Sequence, residues 1–342
     1  MHSTMEDIAR ECGVSKMTVS RVLSGRQVVS AKTREKVLEV AKKLNYEFNT
    51  LAANFALKRS GFVGVATPFV GLLGTEYFAA VFRGFQKVLH KAGWDCALFD
   101  TLSDAFNDGV KLARLYRQKK VDGLLIVAPH MHDRFLESLA NLGVPVVAVG
   151  EQIASRQVSS VSCDDDQGMT EVCEHLYELG HRDIAFVGGP QDLATARDRQ
   201  AAYKAFCRQM GLDTPLNFLQ PGEYTIQSGK TAARILLESE RRPTAIIGVN
   251  DFTAFGVIEC AREMGLRVPE DLSVTGFDDM PSAAERHPAL TTVHQPAVEM
   301  GEAGAEILVR MMTTGQLSSA KISLKVSLVA RQSTARPPAS KP

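Results

Sequence analysis

The chain has 342 residues, with 39 Lys and Arg against 39 Asp and Glu, so its formal net charge is zero. Hydrophobic residues make up 45% and charged residues 23%, ordinary globular usage for a chain long enough to form two domains, or one domain with an appendage. These figures exclude a uniformly basic, DNA-coating protein, and no run approaches the ~18 apolar residues of a spanning helix.

The zero hides an asymmetry. Residues 1–60 carry eleven Lys and Arg and six Asp and Glu, a net +5, which leaves −5 for the remainder. A short basic head on an acidic body points to a polyanion partner for the head. Its first 45 residues read as three helices. Thr4 is a good N-cap with Asp7 three residues on, and Met5, Ile8, Ala9 and Cys12 form an apolar stripe that Gly13 stops. Ser15 caps a second helix, Lys16 to Leu23, with Val19, Val22 and Leu23 facing inward; Ser24-Gly25 ends it. Ser30 caps a third, with Arg34, Val37, Leu38, Ala41 and Leu44 at helical spacing. A helix, a tight turn and a short second helix make a helix-turn-helix. That second helix exposes Ser15, Lys16, Met17, Ser20 and Arg21. Lys and Arg reach phosphates or the acceptor edge of guanine, Ser serves either, and Met can touch a thymine methyl. A small basic helical domain that contacts protein is the alternative. Residues 46–60 form a connector without Pro or Gly, helix-capable but too short to be stable alone, and so a candidate for folding on contact.

From Gly61 short apolar runs alternate with amphipathic helices, as in a parallel α/β sheet. The expected strands are Phe62–Ala66, Cys96–Phe99, Gly123–Val127, Val144–Val149, Ile184–Val187, Phe218–Gln220, Ala245–Val249 and Leu272–Thr275. The expected helices are Tyr77–Ala92, Asn107–Lys119, Asp133–Leu142, Gln167–Leu179, Asp198–Met210, Ser228–Glu238, Asp251–Met264 and Ala297–Met312. The second set of strands echoes the first at an offset of about 120 residues, Phe62 with Ile184, Cys96 with Phe218 and Gly123 with Ala245. Two doubly wound parallel-sheet lobes with a cleft between them is the natural reading. The Pro-rich tail from Thr334 is expected to be disordered.

Enzyme chemistry finds little support. The 26 glycines contain no G-x-G, and no two stand four apart, which removes the dinucleotide fingerprint and the nucleophile elbow. No H-E-x-x-H occurs, and His130-Met131-His132 reads as a surface loop. Six scattered cysteines form no C-x-x-C, so reduced thiols and the cytoplasm are expected, with no metal and no cofactor. The N-terminus lacks the apolar block of a signal peptide. Asp164-Asp165-Asp166 precedes a helix and reads as N-capping, with ligand contact the alternative for Asp164 or Asp165.

Several ordered motifs then carry a resemblance that spans nearly the whole chain. D-I-A-x-x-C-G-V-S-x-x-T-V-S-R-V-L, V-S-A-K-T-R-E-K-V and L-N-Y in the head resemble the DNA-binding head of the lactose-repressor (LacI/GalR) family. So do G-V-A-T at 64–67, E-H-L-Y-E-L-G-H at 174–181, F-V-G-G-P at 186–190, V-N-D at 249–251, V-T-G-F-D-D at 274–279 and A-L-T-T-V-H-Q at 289–295. The resemblance implies a repressor-type regulator with a periplasmic-binding-protein-like sensor, dimeric, on a pseudo-palindromic double-stranded operator. A helix-turn-helix domain would span 1–45, a hinge helix 46–60, and an effector-binding and dimerisation domain 61–333. Lobe one would take about 61–162 and 293–323, lobe two 163–292 and 324–333, and the tail 334–342.

By the same likeness Lys16, Met17 and Arg21 would read bases. Thr4, Ser15, Ser20, Ser24, Ser30, Thr33 and Asn49 would lie on or near phosphates. Ala52 would lie on the hinge against DNA, and Phe55, where the family usually has Leu, would wedge a base step or pack on the sensor. In the sensor, Tyr77, Phe78, Arg199, Tyr224, Asn250, Asp278 and Gln295 would hold the effector, a sugar or sugar derivative. Alternatives are a turn cap for Asp278, a surface ion pair for Arg199 and strand-edge packing for Tyr224. Gly150 stands where the family often has an acid, and Glu151 follows it. Release of DNA by the effector is the favoured direction. A sugar-binding protein or an α/β enzyme on the same lobes are the competing classes.

Overall fold

A computed structural model describes residues 3–23, 29–46, 54, 59–67, 70–99, 109–129 and 135–338. The chain divides into two compact units, Met1–Gly61 and Phe62–Pro342.

In the first unit α1 (Met5–Cys12), α2 (Lys16–Leu23) and α3 (Ala31–Lys43) enclose a small core of Ile8, Ala9, Cys12, Val19, Val22, Val37, Val40 and Ala41. Thr4 and Asp7 form a reciprocal capping box at α1, and Gly13 ends it in the left-handed region. The Oγ of Ser15 accepts from the Thr18 amide at 3.1 Å, and that of Ser30 from Thr33 at 3.3 Å. Leu38, expected on the inner face of α3, is half exposed; Val40 takes the buried place instead. Asn49, Ala52, Phe55 and Ser24 lie outside the described residues.

The second unit holds two parallel sheets and a small antiparallel pair. Its elements run β1 (Phe62–Ala66), α4 (Glu76–Ala92), β2 (Asp95–Leu98), α5 (Val110–Arg117), β3 (Gly123–Val127), α6 (Phe135–Asn141), β4 (Val146–Val149) and β5 (Ser159–Cys163). Then come α7 (Asp165–Glu178), β6 (Ile184–Val187), α8 (Ala194–Gln209), β7 (Leu219–Gln220), α9 (Ile226–Leu237), β8 (Ala245–Gly248) and α10 (Asp251–Glu263). The chain finishes with β9 (Ser273–Thr275), α11 (Pro281–Glu285), β10 (Thr292–His294), α12 (Ala297–Thr314), β11 (Lys321–Leu324) and β12 (Ser327–Val329).

Lobe one is the sheet β11-β5-β4-β3-β1-β2, and lobe two is β7-β6-β8-β9. The order β2-β1-β3-β4 of the first recurs as β7-β6-β8-β9 in the second, which is the repeat the strand spacing announces. The central strands β3, β4, β6 and β8 are buried along their whole length, as both-face coverage of a parallel sheet requires. In lobe one α4 meets α12 so closely that a Cβ on Gly84 would stand 2.1 Å from the Val298 carbonyl, and one on Gly301 2.1 Å from that of Val81.

Four strands have no apolar run to announce them. Strand β5 is Ser-rich yet buried, and its Ser159 hydroxyl accepts from the Ala320 amide at 3.1 Å. The short β10 and β12 pair antiparallel, and β11 is an edge strand of alternating exposure. Helix α8 begins four residues before its expected start because Leu193 offers no capping side chain to mark it. The tail expectation also changes at its start. Thr334 Oγ1 meets His175 Nε2 at 3.0 Å, and the Ala335 amide donates to Ser273 at 3.0 Å, so both residues are tied to lobe two.

Candidate functional site

The sensor lobes close over a cavity lined by Leu72, Thr75, Tyr77, Ala128, Gly150, Glu151, Leu193, Thr195, Arg199, Tyr224, Thr225, Asn250, Phe252, Asp278 and Gln295. Its free volume is about 90 Å³, several times the ~10–15 Å³ that admits one water. It lies at the carboxyl ends of strands of both sheets, where ligands bind in open α/β folds.

Arg199 on α8 is its electrostatic centre. Its Nε donates to Asp165 Oδ1 at 2.6 Å, one terminal nitrogen donates to the Val249 carbonyl at 2.8 Å, and the same nitrogen stands 3.7 Å from Asp278 Oδ1. Its guanidinium carbon lies 3.6 Å from the centroid of the Phe277 ring, a cation–π seat. Burial pushes Asp278 up to about 7 against the pull of Arg199. Asp278 adopts φ 129°, where a non-glycine residue is strained. Its amide donates to the Val293 carbonyl at 3.0 Å, and its carbonyl accepts from the Gln295 amide at 3.3 Å. Behind it Asp251 takes Thr292 Oγ1 at 2.5 Å and the Met280 amide at 3.0 Å, which holds the turn; burial raises its carboxyl well above the ordinary range.

Asn250 lines the cavity and also caps α10, accepting from the Thr253 amide at 2.9 Å. Gln295 donates weakly to the Met300 sulfur, while its buried Oε1 has no hydrogen-bond partner among the described residues. Tyr224 donates to Thr195 Oγ1 at 3.0 Å, and its ring passes Gly189, where a Cβ would come within 2.8 Å of it. Tyr77 lines the wall, and a Cβ on Gly150 would stand 2.9 Å from its hydroxyl. The tyrosine thus fills the space where a side chain at 150 would project.

Of the sensor residues expected from sequence, Tyr77, Arg199, Tyr224, Asn250, Asp278 and Gln295 line one cavity. Phe78 does not. It is buried, stacking on Phe82 at 5.9 Å, because the next residue of a helix turns ~100° away from Tyr77. Cys163 is buried outside the lining, with its sulfur 3.7 Å from Asp165. Asp164 caps α7 through the Gln167 amide at 3.0 Å, and Asp165 serves Arg199. The lining also holds Thr195, Thr75 and Phe252, which the sequence does not single out, and Glu151, which it marks only as the neighbour of Gly150. Glu151 directly follows the position where the family often carries an acid, and that was the available signal.

In the head, Ser15, Lys16, Met17 and Arg21 lie on the exposed side of α2 and Ser20 is half-buried, with Met17 63% exposed. Lys16 pairs with Glu6 on α1. Exposed Thr4 and Ser30 cap α1 and α3, and Thr33 lies in the first turn of α3. His130 and His132 lie outside the described residues; among those described no group of His, Cys, Asp and Glu could hold a metal.

The model of the lacI family of bacterial regulatory proteins matches residues 4–49, and that of the periplasmic binding protein-like domain matches 173–334. Catabolite control protein A of Priestia megaterium is 32% identical over 336 residues, covering 98% of this chain and 100% of that protein. The chain belongs to the LacI family. It is a DNA-binding transcriptional regulator of the repressor type, with a helix-turn-helix head and a sensor for a small-molecule effector. Among solved structures, the lac repressor dimer bound to operator and the anti-inducer ONPF is 28% identical, with a TM-score of 0.82, covering 98% of this chain and 100% of that one. The CelR–cellobiose complex is 30% identical with a TM-score of 0.74, covering 97% and 100%. No helix among the described residues of this LacI-family chain is long and apolar enough to cross a membrane.

Proposed function

We propose that this chain works in the cytoplasm as a homodimer on a pseudo-palindromic operator, controlled by a sugar or sugar derivative bound in the sensor cavity. Each head takes one half-site. Lys16, Met17 and Arg21 face base edges in the major groove, and Thr4, Ser15, Ser20, Ser24, Ser30, Thr33 and Asn49 lie along the phosphates. Ala52 and Phe55 belong to a hinge in the minor groove. The dimeric, operator-bound lac repressor is the relative that supports this arrangement.

The observation that carries the effector reading is the cavity lining itself. Tyr77, Tyr224 and Phe252 supply aromatic side chains suited to an apolar sugar face, and Asp278, Arg199, Asn250 and Gln295 supply hydroxyl partners of both polarities. The cellobiose held by CelR supports the same ligand class. Control of DNA affinity requires the ligand to bind one sensor state more tightly than the other.

The test is footprinting of the full chain on genomic fragments, followed by titration with neutral and amino sugars. A protected palindrome whose occupancy falls with one sugar is expected. Absence of any protected palindrome would refute the operator reading, and indifference to every sugar would refute the effector reading.

A further inference from the structure

Helix α8 has no cap of its own. Its N-cap residue is Leu193, whose side chain accepts nothing, so the amides of its first turn need an outside acceptor. That acceptor comes from the other lobe. Glu151, just past β4, takes the Thr195 amide on Oε2 at 3.0 Å and the Thr195 hydroxyl on Oε1 at 2.8 Å. Thr195 is the second residue of the helix, whose amide a capping oxygen ordinarily serves. Glu151 is 2% exposed and lines the cavity.

The same device recurs across the lobes. The N-cap residue of α11, Met280, also provides no side-chain cap, and Glu76 of α4 accepts from the Ser282 amide at 3.3 Å and its hydroxyl at 2.8 Å. In both places a lobe-one glutamate grips the amide and hydroxyl of a lobe-two helix start.

A helix N-terminus facing a cleft is the natural seat for a ligand's anionic group. Here it is already filled by a side chain. Arg199 is the one cation lining the cavity among the described residues, and Asp165 already takes its Nε. The remaining lining acids are Glu151 and Asp278.

We propose that Glu151 is a specificity-determining residue: it occupies the N-terminus of α8 in place of a ligand anion, so the cleft takes uncharged sugars and rejects sugar acids and sugar phosphates. This rests on the reading of the cavity as the effector site. It also makes Glu151 a latch, since the Thr195 amide is protected only while the lobes are closed.

Hydrogen exchange at the Thr195 amide of the full chain tests this with acetate and inorganic phosphate as probes. In the wild type, exchange is slow and neither anion changes it. In Glu151→Ala, exchange accelerates by about tenfold or more, and acetate slows it again by filling the vacated seat. Glu151→Gln keeps one acceptor and fills the space, so its exchange lies between the two and ignores acetate. Wild-type exchange rates in both variants, or no acetate response in Glu151→Ala, would overturn the proposal. So would a wild-type response to either anion. The sugar titration on operator DNA is a separate readout: its failure removes the effector reading and leaves the exchange result standing.

Discussion

The Nε of Arg199 donates to Oδ1 of Asp165 across 2.6 Å, with both side chains almost wholly buried. The pair joins α8 to the start of α7 and fixes the guanidinium so that its remaining face meets Asp278 and the cavity. A buried ion pair adds little net stability, but removing one partner strands the other charge.

Arg199→Ala is therefore expected to destabilise the sensor by about 3–5 kcal/mol, because Asp165 and Asp278 lose their shared cation. Urea denaturation of the two proteins reads this. A loss under ~1 kcal/mol, the scale of an exposed pair, would show that Arg199 is not the buried hub described.

Glu151 gives the sensor a pH dependence of known sign. Burial pushes its carboxyl up to about 8 from an ordinary 4.5, outweighing the hydrogen bonds from Thr195. The folded chain thus holds this proton more tightly than the unfolded chain. The resulting stability is fully present below pH ~4.5 and is lost as pH rises towards 8. The stability difference between wild type and Glu151→Gln should fall across this window by up to about 1.4 kcal/mol per pH unit. Denaturant midpoints at several pH values measure it, and a flat difference contradicts it.

Gly301→Ala places a methyl against the Val81 carbonyl and pushes α12 off α4. Overpacking of this kind costs about 1–3 kcal/mol, against a helix-propensity gain of up to ~1 kcal/mol, so a net loss is expected. The denaturation midpoint should fall at unchanged slope. A rise would mean the two helices separate without cost.

Arg21→Ala on the exposed face of α2 should weaken operator binding by about 1–3 kcal/mol and leave binding to random DNA nearly unchanged. Gel-shift titrations on both DNAs separate the cases. Equal losses would place Arg21 on a phosphate.

The sequence carried the parallel sheets because buried strands such as Gly123–Val127 are unbroken apolar runs and the amphipathic helices alternate with them. It did not carry β5, whose serines are buried by hydrogen bonding rather than by apolarity, nor the two-stranded pair, too short for any period to register. The head was legible through its caps, with Thr4 and Asp7 paired as their spacing implies. Among the residues that line the cavity, Arg199 and Asp278 were legible from motifs because their neighbours in the chain are distinctive. Phe78, next to Tyr77 in the chain, packs away from the cavity because adjacent helix residues face different ways. The contact between Glu151 and Thr195 stayed hidden because it joins two lobes across 44 residues of chain, and Leu193 gives no local sign that α8 is capped from elsewhere.

A ligand in the cavity of Arg199 and Asp278 should change the affinity of the heads for DNA. Operator affinity should be measured with and without saturating sugar, in the wild type and in Asp278→Ala. Coupling of about 1–3 kcal/mol, a shift of roughly 5–150-fold, is expected in the wild type, and none in the variant, whose ligand-free operator affinity is unchanged. Equal operator affinity with the wild-type cavity empty and saturated would contradict it.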